Sequence, residues 1–102
     1  MKRLPYVLSN EANSDLEEIW FYTVENWSKE QADRYFNLII DEINYICTHT
    51  ATGKPMDHVK EGYRASKVKS HLIFYRALSD KVEVIRILHE RMDIENRLSD
   101  TK

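Results

Sequence analysis

The chain has 102 residues, of which 42% are hydrophobic and 31% are charged, and its formal net charge at pH 7 is −2. This length and composition predict one globular domain and argue against an intrinsically disordered chain. The slight negative charge also argues against nonspecific nucleic-acid binding, which needs a strongly basic surface. We therefore expect no direct DNA binding by this chain alone.

The sequence lacks the marks of a membrane or secreted protein. No stretch approaches the roughly 20 consecutive apolar residues that a membrane-spanning helix needs, and the N-terminus has no signal-peptide apolar region. The single cysteine, Cys47, cannot form an internal disulfide, and its place on the apolar face of a predicted helix indicates a buried, inert thiol. We expect a cytoplasmic location.

Charge is distributed unevenly along the chain. From Asn10 to Glu30 there are six acids and one base, whereas from Lys54 to Arg76 there are six bases and two acids. The predicted helical half is therefore acidic, and the predicted strand half is locally basic. A local basic surface of this kind is suited to an acidic partner.

The first predicted elements are a short strand and a helix. Residues 4–8 predict a strand at a sheet edge, because Pro5 has no backbone N–H to donate to a neighbouring strand. Ser9 and Asn10 then supply an N-cap, and apolar residues recur at helical spacing as far as Trp27.

A second predicted helix begins at Ser28, whose partner Gln31 completes a Ser-x-x-Gln capping pattern. Its apolar stripe runs from Ala32 to Cys47 and is stronger than the first. Because only the cap separates the two stripes, the helices should fold back on each other as an antiparallel hairpin.

The second half of the chain predicts a sheet. The elements are a loop over residues 48–62, strands over 63–69, 71–78 and 82–89, a turn over 79–81 and one helical turn over 94–98. The predicted fold is α+β, with an N-terminal strand and a two-helix hairpin on one face of a three- to four-stranded, mainly antiparallel sheet. A single domain would span residues 1–98, and residues 99–102 would form a loose tail.

Both faces of the predicted sheet carry apolar residues. Alternation in the strand over 71–78 separates Ile73, Tyr75 and Ala77 from Leu72, Phe74, Arg76 and Leu78. Alternation in the strand over 82–89 separates Glu83, Ile85, Ile87 and His89 from Val82, Val84, Arg86 and Leu88. The helical hairpin covers one face, so we expect the other to meet a protein partner. The C-terminal segment or a second copy of the chain are the alternative covers.

No metal or cofactor is expected. The run His89-Glu90-Arg91-Met92-Asp93 lacks the second histidine of a zinc-protease helix, and the other histidines have no ligand spacing. Glycine-rich phosphate loops and nucleophile elbows are also missing. One enzymatic hypothesis stays open, a metal-independent ribonuclease. Its candidate residues are Arg64, Arg76, Arg86, His89 and Arg91.

These residues lie in segments that resemble the ParE toxins of the RelE/ParE superfamily. The first helix matches at Leu8, Ala12, Asp15, Leu16, Ile19 and Tyr22. The strands match at residues 62–64, 71–76 and 84–93, where the run Ile-Leu-His-x-Arg-Met-Asp over 87–93 is the most specific element. The resemblance extends to about Leu98.

The resemblance implies a bacterial toxin of a type II toxin–antitoxin system, encoded on a plasmid or chromosome. It implies that the toxin inhibits DNA gyrase, blocks replication and is neutralised in a complex with a ParD-type antitoxin that wraps a helix and an extended segment around it. Relatives of the RelE type instead cut mRNA on the ribosome. Many of them carry catalytic residues after the position of Asp93, where this chain has no Tyr or His, so the gyrase hypothesis is favoured.

Two sets of residues follow from the uncovered face and the resemblance. The predicted antitoxin contacts are Leu72, Phe74, Arg76, Leu78, Val84, Arg86 and Leu88. The predicted contacts for toxicity and target binding are His89, Arg91, Met92 and Asp93.

Overall fold

The computed structural model describes residues 3–99. The elements in chain order are β1 (Tyr6–Leu8), α1 (Asn10–Asn26), α2 (Lys29–Thr48), β2 (Lys54–Pro55), β3 (Arg64–Val68), β4 (His71–Ala77), β5 (Val82–His89) and α3 (Ile94–Ser99). The predicted α+β architecture is confirmed, with two long helices, a sheet and a short C-terminal helix.

Both long helices begin at the predicted caps. The Ser9 side chain accepts a hydrogen bond from the Ala12 N–H, and the Ser28 side chain accepts one from the Gln31 N–H. Each bond satisfies one of the backbone donors that a helix N-terminus leaves without a partner. The Trp20 indole also donates to Asp33 across the hairpin at 3.0 Å, and this bond lowers the pKa of the Asp33 carboxyl.

The sheet has five strands in the order β1-β5-β4-β3-β2. β1 runs parallel to β5, with Tyr6 opposite Val82, and the other neighbours are antiparallel. The sheet thus has more strands than the three or four predicted. β2 is only two residues long, too short for side-chain alternation to reveal it.

A β-bulge interrupts the pairing of β4 and β5. Tyr75 pairs with Val84 but Phe74 pairs with Arg86, so Ile85 is an extra residue in β5. An extra residue reverses the two-residue alternation beyond it. Val84 therefore packs with the helices, and Ile85 packs on the opposite side of the sheet. The prediction that Val84 shares a face with Leu88 is wrong, because it assumed a regular strand.

The hydrophobic core has one layer on each face of the sheet. Between the helical hairpin and the sheet lies the larger cluster of buried residues, Ala12, Leu16, Ile39, Ile43, Ile46, Cys47, Ile73, Tyr75, Val82, Val84 and Ile87. Burial raises the pKa of the Cys47 thiol, in agreement with the predicted inert cysteine. On the other face, the cluster comprises Tyr63, Phe74, Ile85, Leu88 and Leu98.

The second face of the sheet is covered by the chain itself. Met56 and Val59, from the segment after β2, and Ile94 and Leu98, from α3, pack on this cluster. The expectation of an apolar face left open for a partner is therefore wrong. The C-terminal segment, one of the alternative covers, supplies part of the layer.

The helical turn predicted over 94–98 is present as α3, which extends one residue further into the predicted tail over 99–102. Leu98 is fully buried, and Ser99 is the last residue of α3. Residues 100–102 of that predicted tail lie outside the described part of the chain. Among residues 3–99, none of the helices combines the length and apolar character needed to span a lipid bilayer.

Candidate functional site

The arginines predicted for a ribonuclease are held in separate local contacts. Arg64 donates to the backbone carbonyls of Gly53 and Ala51, at 2.6 and 3.3 Å. Arg76 forms an ion pair with Glu83 across β4 and β5, with its Nε 3.0 Å from the carboxylate. These contacts stabilise the fold. Arg64 lies opposite Tyr75 in the register, so it is at the same end of the sheet as Arg76.

His89 and Arg91 lie at the other end of the sheet. His89 is opposite His71 in the register, five residues along β4 from Arg76, which corresponds to roughly 17 Å at about 3.3 Å per strand residue. The five residues proposed for a ribonuclease are therefore not brought together in one site.

Arg86 is engaged with α1. Its guanidinium donates to both oxygens of Asp15, at 2.8 and 2.9 Å, in a bidentate pair. The two side chains are only 15% and 10% exposed, for Arg86 and Asp15 respectively, and the bond to Asp15 raises the pKa of Arg86. Arg86 is thus committed to holding α1 against β5.

The seven residues predicted to contact an antitoxin do not form one accessible face. Phe74, Val84 and Leu88 are buried, Leu72 and Leu78 are half-buried and Arg76 is exposed but ion-paired. Arg86 is in turn paired with Asp15. The predicted antitoxin contacts therefore lack the open sheet face from which they were inferred. The bulge and the cover supplied by the chain's own segments are the physical reasons.

The four residues predicted for toxicity lie at the surface around the end of β5. His89 is half-buried, and Arg91, Met92 and Asp93 are exposed. His89 and Met92 also line a groove. The Asp93 carboxylate accepts a hydrogen bond from the Asn96 side chain at 2.6 Å, at the start of α3.

This groove, of about 760 Å³, runs between the helical hairpin and the end of the sheet. One wall is formed by α1 and α2, and the floor by the ends of β4 and β5. Its apolar lining residues are Ile19, Tyr22, Trp27, Leu38, Ile87 and Met92. Tyr22 and Trp27 are 65% and 70% exposed, so large aromatic surface lies open to solvent along the wall. Exposed apolar patches of this kind mark binding sites.

A tyrosine and two histidines lie at the floor of the groove. The Tyr35 hydroxyl donates to the Val68 carbonyl at 3.2 Å and lies 2.6 Å from His71 Nδ1. The rings of His71 and His89 meet edge to face, with centroids 5.2 Å apart. Burial, and then the neighbouring His89, lowers the pKa of His71. Among residues 3–99, no cluster of three or more His, Cys, Asp or Glu side chains could hold a metal ion.

The charged residues of the groove leave an excess of positive charge. Arg34 and Lys69 line it from α2 and from the turn between β3 and β4, and neither makes an ion pair within the described residues. Of the lining acids, Asp15 is neutralised by Arg86 and Glu18 has no such partner there. The groove is therefore suited to an apolar segment that carries a negative charge.

Lys69 adopts a left-handed backbone conformation, with φ of 53°. For a residue with a Cβ atom this conformation costs roughly 1 kcal/mol, and such strain is often found at functional sites. Lys69 lies in the tight turn between β3 and β4, and this turn places His71 next to Tyr35 of α2.

The sequence did not reveal the groove or its histidine pair. His71 was considered only for metal-ligand spacing, and its position opposite His89 depends on the bulge at Ile85, which no local pattern signals. The available signal was the presence of two large aromatic residues, Tyr22 in α1 and Trp27 at its C-cap, because such side chains are enriched at binding sites.

Comparisons with known proteins agree with this fold. The family described as "ParE toxin of type II toxin-antitoxin system, parDE" matches residues 6–94. Toxin ParE1 of Caulobacter vibrioides is 38% identical over 94 residues, which cover 92% of this chain and 97% of that protein. Toxin ParE1 of Mycobacterium tuberculosis is 35% identical over 94 residues, with 91% and 96% covered. Toxin ParE of Escherichia coli is 31% identical over 96 residues, with 93% of each covered.

A solved structure shares the fold at lower sequence identity. A chain of the "Chromosomal ParDE TA system from P. aeruginosa" superposes with a TM-score of 0.74 at 16% identity, covering 85% of this chain and 96% of that one. The fold is thus that of a small α+β toxin. By sequence, the chain belongs to the ParE toxin family of type II toxin–antitoxin systems.

Proposed function

We propose that this chain is a cytoplasmic toxin that inhibits DNA gyrase and is neutralised by a ParD-type antitoxin bound in the groove between the helical hairpin and the sheet. The observation that carries the antitoxin site is the open apolar wall of this groove. Because both faces of the sheet are covered by the chain itself, the groove replaces the sheet face as the proposed antitoxin surface.

The form of the groove supports an amphipathic segment as its occupant. Apolar side chains on one face of a helix insert into a groove of this kind, and Tyr22, Trp27 and Leu38 offer them a wall. Aromatic residues are also enriched among the residues that contribute most to binding. Membership of a toxin family that works with an antitoxin supplies the partner.

Two pairs of matched substitutions test the groove. Tyr22 lines it and Phe21 does not, although the two are adjacent and 65% and 58% exposed. Leu38 lines it and Phe36 does not, on the same helix and at 39% and 38% exposure. We expect Tyr22→Glu and Leu38→Glu to weaken antitoxin binding at least about tenfold, because a charge would be placed in a desolvated contact.

The antitoxin for this measurement is the one expressed from the reading frame next to the toxin's own, titrated calorimetrically into the purified toxin. Phe21→Glu and Phe36→Glu should bind it like the unchanged chain. Equal losses in the groove variants and their controls, or no loss in either, would remove the groove from the proposal.

Inhibition of gyrase is the second part of the proposal. It rests on the family and on the exposed end of β5, where Arg91, Met92 and Asp93 reach solvent. The alternative, cleavage of mRNA on the ribosome, has less support because the arginines named for it are engaged in separate contacts. Arg91 and His89 are its remaining candidates.

A supercoiling assay with purified gyrase separates the two activities. We expect the toxin to block supercoiling, the antitoxin to restore it, and Arg91→Ala to reduce the block. Lys54→Ala, on the edge strand β2, which two strands separate from β5, is the control and should retain full inhibition. Growth arrest with normal supercoiling and discrete mRNA cuts would contradict the gyrase proposal and support the ribonuclease.

A further inference from the structure

The two histidines in the groove differ in the hydrogen bonds of their rings. His89 Nδ1 accepts a hydrogen bond from the backbone N–H of Arg91 at 3.1 Å, so the neutral His89 ring carries its proton on Nε2. The Tyr35 hydroxyl lies 3.2 Å from the Val68 carbonyl and 2.6 Å from His71 Nδ1. When it donates to the carbonyl it accepts from His71, and the proton of neutral His71 then lies on Nδ1. In that arrangement His71 Nε2 is an unprotonated nitrogen and His89 Nε2 is a donor.

The charged groups around this pair come from every packed element. α2 contributes Tyr35 and Arg34. α1 contributes Asp15, which Arg86 neutralises, and Glu18, which forms no ion pair among residues 3–99. The turn before β4 contributes Lys69. The end of β5 contributes Glu90, which is held by Lys67 at 3.1 Å, and is followed by Arg91. The lining bases thus favour an anionic group, while the mutual repulsion of two protonated rings disfavours charging both histidines in the free toxin.

We propose that His71 and His89 together hold a carboxylate of the antitoxin, and that this contact takes up one proton. The inference rests on the proposed function of the groove. His89 Nε2–H donates to the carboxylate, and His71 accepts a proton from solvent on Nε2 and donates it to the same group. No covalent bond changes. A carboxylate on an apolar segment fits the groove better than a nucleic-acid backbone, which needs an extended basic track in place of an apolar wall.

The proton uptake predicts that the complex is tighter at acidic pH. A carboxylate beside His71 favours the protonated ring, so its pKa is higher in the complex than in the free toxin. Between these two pKa values, one proton taken up on binding strengthens the affinity by at most about tenfold per pH unit. Above the pKa of His71 in the complex, the affinity no longer depends on pH, because His71 stays unprotonated in both the free and the bound toxin.

Titration calorimetry of the toxin with its adjacent antitoxin, at pH values from 6 to 8 and in two buffers of different ionisation enthalpy, measures both the affinity and the number of protons. We expect proton uptake in the unchanged chain and its loss in His71→Gln, while His49→Gln, at an exposed histidine remote from the groove, retains it. His89→Gln should weaken binding and reduce the proton uptake. If His71→Gln does not fold, His89→Gln carries the test.

The Tyr22→Glu variant tests the groove separately from the histidine contact. If Tyr22→Glu weakens binding but proton uptake is absent or unchanged in both histidine variants, the groove stands and the histidine contact is overturned. If Tyr22→Glu binds normally, the groove itself is wrong. Competition by a short RNA or DNA oligonucleotide, lost in the histidine variants, would assign the pair to phosphate and overturn the carboxylate.

Discussion

The carboxylate of Asp15 and the guanidinium of Arg86 form a bidentate pair between α1 and β5, and the same carboxylate accepts the backbone N–H of Ile87 at 2.9 Å. Asp15 thereby gives the Ile87 N–H a hydrogen-bond partner. β1 cannot supply one there, because it pairs with β5 only over residues 82–84. One side chain links a helix, a neighbouring arginine and a strand edge, and it forms part of the groove lining.

Removal of Arg86 should strongly destabilise the fold. Arg86→Met leaves the largely buried Asp15 charge without its cation, which costs about 3–5 kcal/mol of unfolding free energy. The pair of Arg76 and Glu83 is the comparison, because its side chains are more exposed, at 45% and 26%, and Arg76→Met should cost less than about 1 kcal/mol. Urea unfolding followed by tryptophan fluorescence measures both. Equal costs for the two arginines would contradict this account of the buried pair.

The cover of the second sheet face predicts a similar contrast between two leucines. Leu98 is fully buried against Phe74 and Leu88, whereas Leu38 is 39% exposed in the groove. We expect Leu98→Ala to lower the unfolding free energy by about 2–5 kcal/mol, since it leaves a cavity. Leu38→Ala should cost much less. If Leu98→Ala unfolds like the unchanged protein, α3 is not part of the core in solution.

Gly53 lies too close to Tyr75 for a side chain. Its N–H donates to the Tyr75 hydroxyl, which donates to the Thr50 carbonyl, each at 2.8 Å. A Cβ atom at Gly53 would lie 2.7 Å from that oxygen, so Gly53→Ala must displace a fully buried ring and should cost about 1–3 kcal/mol.

A double-mutant cycle tests the cause of this cost. In a Tyr75→Phe background the nearest clashing atom is gone, so Gly53→Ala should cost less there, although close ring carbons remain. Thermal unfolding of the four proteins gives the coupling energy. Strictly additive costs would show that the glycine is required for another reason.

The lowered pKa of His71 makes the stability of the free toxin depend on pH. Burial, and then His89, holds this pKa below its ordinary value of 6.5. The unfolded chain therefore binds the proton more readily, so stability is complete above about pH 6.5 and falls as the pH drops from there toward the folded pKa. We expect His71→Gln to show a flatter decline in melting temperature between pH 7.5 and 5.5. His49→Gln should retain the original slope, and a slope unchanged in His71→Gln would exclude His71 as its source.

The parts of the fold that depend on local sequence were predictable. Ser9 and Ser28 cap helices through bonds to residues three positions later, and the limits of β5 follow from its largely apolar run over 82–89. The parallel pairing of Tyr6 with Val82 could not be predicted, because it joins segments far apart in sequence. The cover over Phe74 was missed because the segment after β2 has no periodic pattern.

The candidate site was predictable only in part. His89 and Met92 were identified from the sequence, and both line the groove. The groove also contains Arg34, Tyr35 and His71, which come together only when α2 packs against the turn between β3 and β4. The local sequence pattern does not predict that packing. The pairing of Arg86 with Asp15 could not be predicted, because the two residues lie 71 positions apart in sequence.

The extra residue at Ile85 ties the length of β5 to its side-chain pattern. Deletion of Ile85 would leave a strand with regular side-chain alternation. Only the part before the deletion or the part after it could then keep its side chains on their native faces of the sheet. Either Val82 and Val84 would turn away from the helices, or Ile87 and His89 would leave the groove. Homologous chains that are one residue shorter at this point should therefore carry compensating changes along half of the strand.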